Sequence, residues 1–345
     1  MTSYIAIDSG GTRTNTTLQV ESPSESVVVW TREVYESLSG YLDPQHYAQV
    51  LRHILAPIEA VWYEQDQASE STYLFISAAG FTASTREPFL TMLKEVIPGT
   101  FGGTVKYVAV ANDAVSLLLG HATDGVVIAG TGSSVLIRGS DGTIYQAGGQ
   151  EWVASDYGAG FWIGLEAIRA VARAVEAGNE TTLLHRFCNE YHVAIDDEVG
   201  IVRCFRTLAV ADSDMKAEIA KFAVSVCGAA LKGDDEAQFI VKVQAEQLGA
   251  SVVSAIRRRL AAQDISDGLN LVQCGSVLSN SFYRSSFESM VSISLYGTAD
   301  TKDTIRWKIV NDGQEGALAL AHVLEADPDS LQSITGRYLP LVLAY

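Results

Sequence analysis

Proline is scarce in this 345-residue chain: there are seven, and none lies between Pro98 and Pro328. A stretch that long without the residue that breaks helices and strands argues against a flexible linker there and for long uninterrupted elements. Cysteine is scarcer. Cys188, Cys204, Cys227 and Cys274 are widely spaced and form no CxxC pair, a pattern that suits buried thiols in a reducing cytosol better than a disulfide frame or a zinc or iron-sulfur site. Positive charge is also short, with 24 Lys and Arg against 41 Asp and Glu for a formal charge of −17. Such a chain repels nucleic-acid backbones and anionic membranes, so neither is expected as a partner. No apolar run approaches the roughly 18 residues of a membrane span, and the chain enters a strand-like segment with no basic leader. The six histidines show no HExxH or paired spacing that would point to a metal set. A soluble, cytoplasmic protein is expected.

What is present is apolar enough, at 48%, for a sizeable core, and the length favours two domains. Alternating and β-branched residues predict a three-strand meander at Tyr4–Ile7, Thr14–Val20 and Val27–Thr31. A helix follows over Pro44–Tyr63, with Pro57 expected to kink or split it. Strand Tyr73–Ser77, helix Arg86–Val96, strand Val105–Ala111 and helix Ala114–Gly120 complete a βββαβαβα order. The order begins again at Gly125–Ala129, Ser134–Arg138 and Thr143–Ala147. Helices come next, among them Phe161–Ala177, Ser213–Leu231 and Glu236–Ala262. Strand Leu269–Cys274, helix Ser279–Val291, strand Ile305–Val310 and helix Glu315–Glu325 then close the repeat, which therefore carries a helical insertion. Duplication at about 120 residues is far longer than solenoid periods and predicts two equivalent domains facing each other, with the ligand in the cleft between them.

In IAIDSGGTRTNTTLQV, Asp8 ends a buried strand and Gly10, Gly11, Thr12 and Thr14 follow. Glycine turns converge backbone N–H groups on phosphate oxygens, Thr hydroxyls add donors, and Asp8 is placed to hold Mg²⁺. An ordinary hairpin turn explains this segment alone equally well. VVIAGTGSSVLIRG, however, puts Gly130, Thr131 and Gly132 at the equivalent place in the second half, which favours a phosphate site. Asn112 and Asp113 close a strand before a helix; Asp113 reads as an N-cap, as a carboxylate able to take a proton from an attacking hydroxyl, or as both. GGQEWVASDYGAGFWIG gathers Gly149, Gln150, Glu151, Trp152 and Asp156 on a Gly-rich connection, the polar and aromatic mix of a sugar site. Its structural alternative is a helix start capped by Ser155 or Asp156. In LVQCGSVLSNS, the Gly275-Ser276 turn lets a flat base approach the backbone. Trp62 and Tyr63 lie at the polar end of their helix, where packing is the simpler role.

These motifs, in this order and over nearly the whole chain, resemble the N-acetylglucosamine kinase and BadF/BcrA-type ATPase family, within the superfamily of sugar kinases, actin and heat-shock-protein ATPases. The resemblance implies two ribonuclease-H-like domains, residues 1–113 plus 313–345 and residues 114–312, the last helices returning to the first. It implies ATP phosphates on Gly10–Thr12 and Gly130–Gly132, adenosine on Gly275 and Ser276, Mg²⁺ near Asp8, Asp113 as catalytic base, Asp156 as the sugar-binding aspartate, and a homodimer. The activase branch holds an iron-sulfur cluster through cysteines that the spacing here does not offer. Where the N-acetylglucosamine kinases read GGWGHxxGD this chain reads GGQEWVASD, so Gln150, Glu151 and Trp152 remodel the sugar pocket. A carboxylate at Glu151 suits a free ammonium, which predicts D-glucosamine phosphorylated at its 6-hydroxyl. The alternatives are an N-acetylglucosamine or other hexose kinase, or an ATPase driving a partner protein. A sugar-sensing DNA-binding regulator would need a helix-turn-helix, and an actin-like filament protein would not need the polar block at Gln150–Asp156.

Overall fold

The computed structural model describes residues 1–11, 13–22, 25–38, 44–64, 69–210, 215–262, 268–297, 305–334 and 336–345. The chain opens with strands β1 (Thr2–Ser9), β2 (Thr14–Ser22) and β3 (Glu25–Val34), then α1 (Pro44–Glu64), β4 (Ser71–Ala78), α2 (Arg86–Val96), β5 (Val105–Asn112) and α3 (Asp113–Gly120). The order recurs as β6 (Gly125–Ala129), β7 (Ser133–Arg138) and β8 (Ile144–Gly148). Six helices follow: α4 (Glu151–Ala154), α5 (Gly160–Ala177), α6 (Thr182–Glu190), α7 (Glu198–Val210), α8 (Met215–Leu231) and α9 (Asp235–Ala262). Then come β9 (Leu269–Cys274), α10 (Ser281–Tyr296), β10 (Ile305–Val310), α11 (Gln314–Ala326) and a last strand, β11 (Leu341–Ala344).

One sheet has the order β11-β5-β4-β1-β2-β3 and the other β10-β9-β6-β7-β8. Element for element, β5-β4-β1-β2-β3 and β10-β9-β6-β7-β8 are the same arrangement, so the expected duplication is present as two ribonuclease-H-like sheets. In both, the first strand pairs antiparallel with the second and parallel with the fourth. Burial explains the strand positions. Tyr4, Ile5, Ala6 and Ile7 are all at most 1% exposed, as a strand covered on both faces requires, whereas β3 is largely exposed and forms an edge. In α1, Tyr47, Leu51, Ile54, Leu55, Ile58 and Trp62 recur at helical spacing on the buried face. The helix is not split at Pro57. Proline costs it the bond to the His53 carbonyl, but His53 lies on the exposed face, where water can satisfy that group.

The chain divides into two compact units: residues 1–124 with 138–144 and 312–345, and residues 125–137 with 145–311. The first boundary falls at 124/125 rather than the expected 113/114 because α3 packs on α11 within the first unit. Glycine lets them meet: a side chain at Gly120 would collide with the backbone of Gly316. β11, a strand not anticipated, pairs antiparallel with β5. Within the second unit α5, α8, α9 and α10 bury one continuous core around Phe161, Phe222, Val241 and Phe287, the helical insertion that lengthens this half. Gly164 of α5 similarly faces the backbone of Ile219 on α8. All four cysteines are free thiols, and no helix among the described residues is long and apolar enough to cross a membrane.

Gly120→Ala is expected to destabilise the first unit by about 1–3 kcal/mol through overpacking, read as a lower urea midpoint of the transition in which that unit unfolds.

Candidate functional site

Parallel pairing brings the ends of β1, β4 and β5 level. Asp8 lies opposite Ser77, and Ala78 opposite Asn112, so the carboxylates of Asp8 and Asp113 emerge at the same sheet edge of the first unit. Asp8 accepts from Ser77 Oγ at 2.9 Å and from the Gly313 amide at 3.0 Å. Gly313 has to be glycine, because a Cβ there would lie 2.6 Å from Asp8 Oδ1. Burial, followed by the Asp113 and Asp312 charges, pushes the Asp8 carboxyl up to about 6 against the pull of those two hydrogen bonds. Asp113 is also raised, by burial, although its carboxylate accepts from the Ala114 amide at 2.9 Å.

The N-cap of α3 is Asn112 rather than Asp113. Asn112 has extended backbone and its Oδ1 accepts from Ala114 N at 3.1 Å, which leaves Asp113 as the first helical residue. The turn after β1 closes with Gly10 N donating to Arg13 O at 2.9 Å. Neither Gly10 nor Gly11 has positive φ, and a side chain at Gly11 would meet nothing within 4 Å. Packing and conformation do not call for glycine here; the space is open to a ligand. Thr14 is not a free donor. Its Oγ1 donates to Glu36 O at 2.6 Å and shares a 2.9 Å bond with Ser9 Oγ, so it fastens the turn to the segment after β3. Thr12 lies outside the described residues.

In the second unit the turn Gly130–Gly132 closes through Gly130 N to Gly132 O, 2.9 Å. The first amides of α5 bind its carbonyls, Gly160 N to Gly130 O at 2.7 Å and Phe161 N to Thr131 O at 3.3 Å. That helix start has Ala159 at its N-cap with no side-chain bond, so neither Ser155 nor Asp156 caps it. Ser155 instead accepts from Gln150 N at 2.9 Å. Gly130 again has open space where its side chain would be. Gly275 has φ +111°, and a Cβ on it would strike the Ala129 carbonyl. Val277 N also donates to Ala129 O, at 3.1 Å, so the Gly275-Ser276 turn lies against the Gly130 turn with Ser276 exposed. Gly149 is pinched between Ser134 Oγ and Gln146 Nε2, and Gln146 Nε2 donates to Gly148 O at 2.7 Å.

Sequence reasoning passed over Lys216, in the first turn of α8. Its ammonium donates to Asp156 Oδ2 at 2.9 Å and to Glu151 Oε2 at 3.2 Å. Asp156 is 3% exposed. Glu151 and Asp156 have φ of +69° and +61°, a left-handed backbone that costs a non-glycine residue of order 1 kcal/mol and persists where surrounding structure imposes it. Here Tyr283 Oη donates to Gly158 O at 2.7 Å and Gly158 N donates to Gln244 Oε1 at 3.1 Å, pinning the next residues to α9 and α10.

The model of the BadF/BadG/BcrA/BcrD ATPase family matches residues 5–321. The chain belongs to that family. Among the relatives of this BadF-type chain is the N-acetylmuramic acid/N-acetylglucosamine kinase of Clostridium acetobutylicum, 26% identical over 284 residues, which are 81% of this chain and 86% of the relative. The N-acetyl-D-glucosamine kinase of Dictyostelium discoideum is 27% identical over 188 residues, 52% of this chain and 57% of the relative. A solved Porphyromonas gingivalis structure described as an N-acetylglucosamine kinase superposes with a TM-score of 0.66 at 16% identity, covering 95% of this chain and all of that one. That likeness places the BadF-type chain in the actin-like ATPase fold, and family membership makes it a user of ATP.

The Asp8 carboxyl is expected to titrate near pH 6 by carbon-detected NMR, and to titrate lower in Asp113→Asn, which removes one facing charge. Because its folded value lies above the unfolded one, the cost to stability grows as pH rises from about 4 to about 6 and is constant above.

Proposed function

We propose that this protein phosphorylates an amino sugar with ATP, most specifically D-glucosamine to glucosamine 6-phosphate. The carrying observation is the recurrence of glycines that neither packing nor backbone conformation demands, Gly10 and Gly11 after β1 and Gly130 after β6, as a polyphosphate approaching the main chain needs. The 26% and 27% identical relatives named as amino-sugar kinases support the substrate class. Gly10, Gly11, Gly130, Thr131 and Gly132 receive phosphate; Gly275 and Ser276 take the adenosine side.

Asp113 is the base. Its burial moves the carboxyl toward working pH, where a base accepts protons most effectively. The acceptor hydroxyl oxygen forms a bond to the γ-phosphorus, its proton passes to Asp113, and the bond from γ-phosphorus to the bridging oxygen breaks, with its electron pair leaving on ADP. Asn112 orients the start of α3, and Asp156, Gly149 and Gln150 supply directed polar contacts to sugar hydroxyls. Asp8 is the residue that would hold Mg²⁺. A carboxylate held in place by Ser77 and the Gly313 amide suits an ion that takes one or two protein carboxylates and completes its shell with phosphate and water. Such an ion would supply positive charge to the phosphates.

The amino group enters through charge. Lys216 pairs with Glu151, whose side chain is 44% exposed, so a substrate ammonium can reach that carboxylate from its open side. An ADP-release assay across glucosamine, N-acetylglucosamine, glucose and no sugar is expected to show glucosamine fastest. Glu151→Gln should lower kcat/KM for glucosamine more than for glucose; equal losses would remove Glu151 from amine recognition. Asp113→Asn is expected to bind ATP normally while losing about 10²–10⁴ in kcat, and turnover near wild type would exclude it as the base.

A further inference from the structure

Lys216 lies close to both the sugar segment and the glycine turn of the second unit. Its ammonium holds Asp156 and Glu151 of the sugar segment, and a Cβ built on Gly132 would lie 3.2 Å from Lys216 Nζ and 3.0 Å from Asp156 Oδ2. The third residue of the phosphate turn is thus in van der Waals reach of the ammonium and of the sugar carboxylate at once. Packing produces this: glycine at position 164 lets α8 approach α5 at Ile219, and Lys216 lies three residues before Ile219, about one turn nearer the start of the helix. An ammonium has three N–H donors. Two are used here, and the third has no acceptor among the described residues.

We propose that Lys216 is a catalytic residue that contacts the transferring phosphoryl group, and that Asp156 and Glu151 hold it back until sugar occupies them. This rests on the kinase reading above. With the sugar site empty, Asp156 and Glu151 both hold the ammonium and keep it turned toward themselves. Sugar hydroxyls, and the amine of an amino sugar, compete for the same carboxylate oxygens. Each oxygen they take frees an N–H that turns to the phosphoryl oxygens beside Gly132, where charge spreads in the transition state. Lys216 is therefore the link by which sugar occupancy tightens the grip on phosphate. A lysine that only neutralised Asp156 would leave that link absent.

Wild type, Lys216→Arg and Lys216→Met, each checked by thermal melting, separate these roles. In the methionine variant kcat is expected to fall by about 10²–10³-fold, with the sugar KM unchanged or lowered because the carboxylates no longer have to release an ammonium, and in the arginine variant kcat should recover part of that loss. Calorimetry with inorganic tripolyphosphate, with and without glucosamine, gives a readout independent of turnover. Sugar should tighten tripolyphosphate binding by about fivefold or more in wild type and not at all in Lys216→Met. If Lys216→Met keeps its kcat and changes only the sugar KM, or retains the sugar effect on tripolyphosphate, the proposal is overturned. Should the methionine variant not fold, Glu151→Gln decides: releasing one restraint should tighten tripolyphosphate binding in the absence of sugar, and unchanged affinity refutes it. Wild type releasing no ADP with any sugar would defeat the kinase reading itself, while tighter sugar-free tripolyphosphate binding in Glu151→Gln than in wild type would still report whether a released Lys216 meets phosphate.

Discussion

Parallel pairing of the first and fourth strands in each sheet is the constraint on which the site depends. It forces neighbouring strands to end at one level, so whatever follows each strand emerges at a common edge. In the first unit that register sets Asp8 opposite Ser77 and Ala78 opposite Asn112. In the second it sets Ile128 opposite Cys274, which brings the turn after Ala129 against the turn at Gly275. A slip of one residue would turn Asp8 to the other face of the sheet. The buried runs Tyr4–Ile7 and Val126–Val127 guard against such a slip by packing on both faces.

Two sets of glycines in this chain differ physically. Gly313, Gly275, Gly120 and Gly164 stand where another backbone or carboxylate occupies the place of a side chain, and they hold the fold and the site in register. Gly11 and Gly130 stand where nothing does. The first group concerns how the protein packs on itself; the second leaves open space beside the main chain, the space the proposed phosphate would use. The same logic separates the threonines: Thr14 spends its hydroxyl on Glu36 O and Ser9 and belongs with the scaffold.

Most of the fold was legible because the strands are buried on both faces and the helices carry regular apolar spacing, both of which are local signals. β11 was not, since four residues near the end of the chain become a strand only by pairing with β5. Asn112 displaced Asp113 as helix cap because both residue types cap well and only the backbone angles decide between them. Of the site, Asp8, Asp113, Asp156 and the glycine turns are marked by residue type and place in the chain. Lys216 carries no such mark: it lies 60 residues from Asp156, and its position depends on two helices meeting at a glycine.

Electrostatics explains why so acidic a chain places its few cations with care. At the edge of the first unit, Asp8 and Asp113 are balanced by backbone amides and a serine hydroxyl, with no lysine or arginine salt bridge to either among the described residues. Burial raises both carboxyls, and at Asp8 the neighbouring Asp113 and Asp312 charges add to it. In the second unit the balance differs: Asp156, 3% exposed, pairs with Lys216, which it shares with Glu151. A buried ion pair is expensive to assemble and adds little net stability over apolar packing. Its presence, on a backbone held in left-handed conformation at both acidic partners, is better understood as charge positioned for a reaction than as reinforcement of the fold.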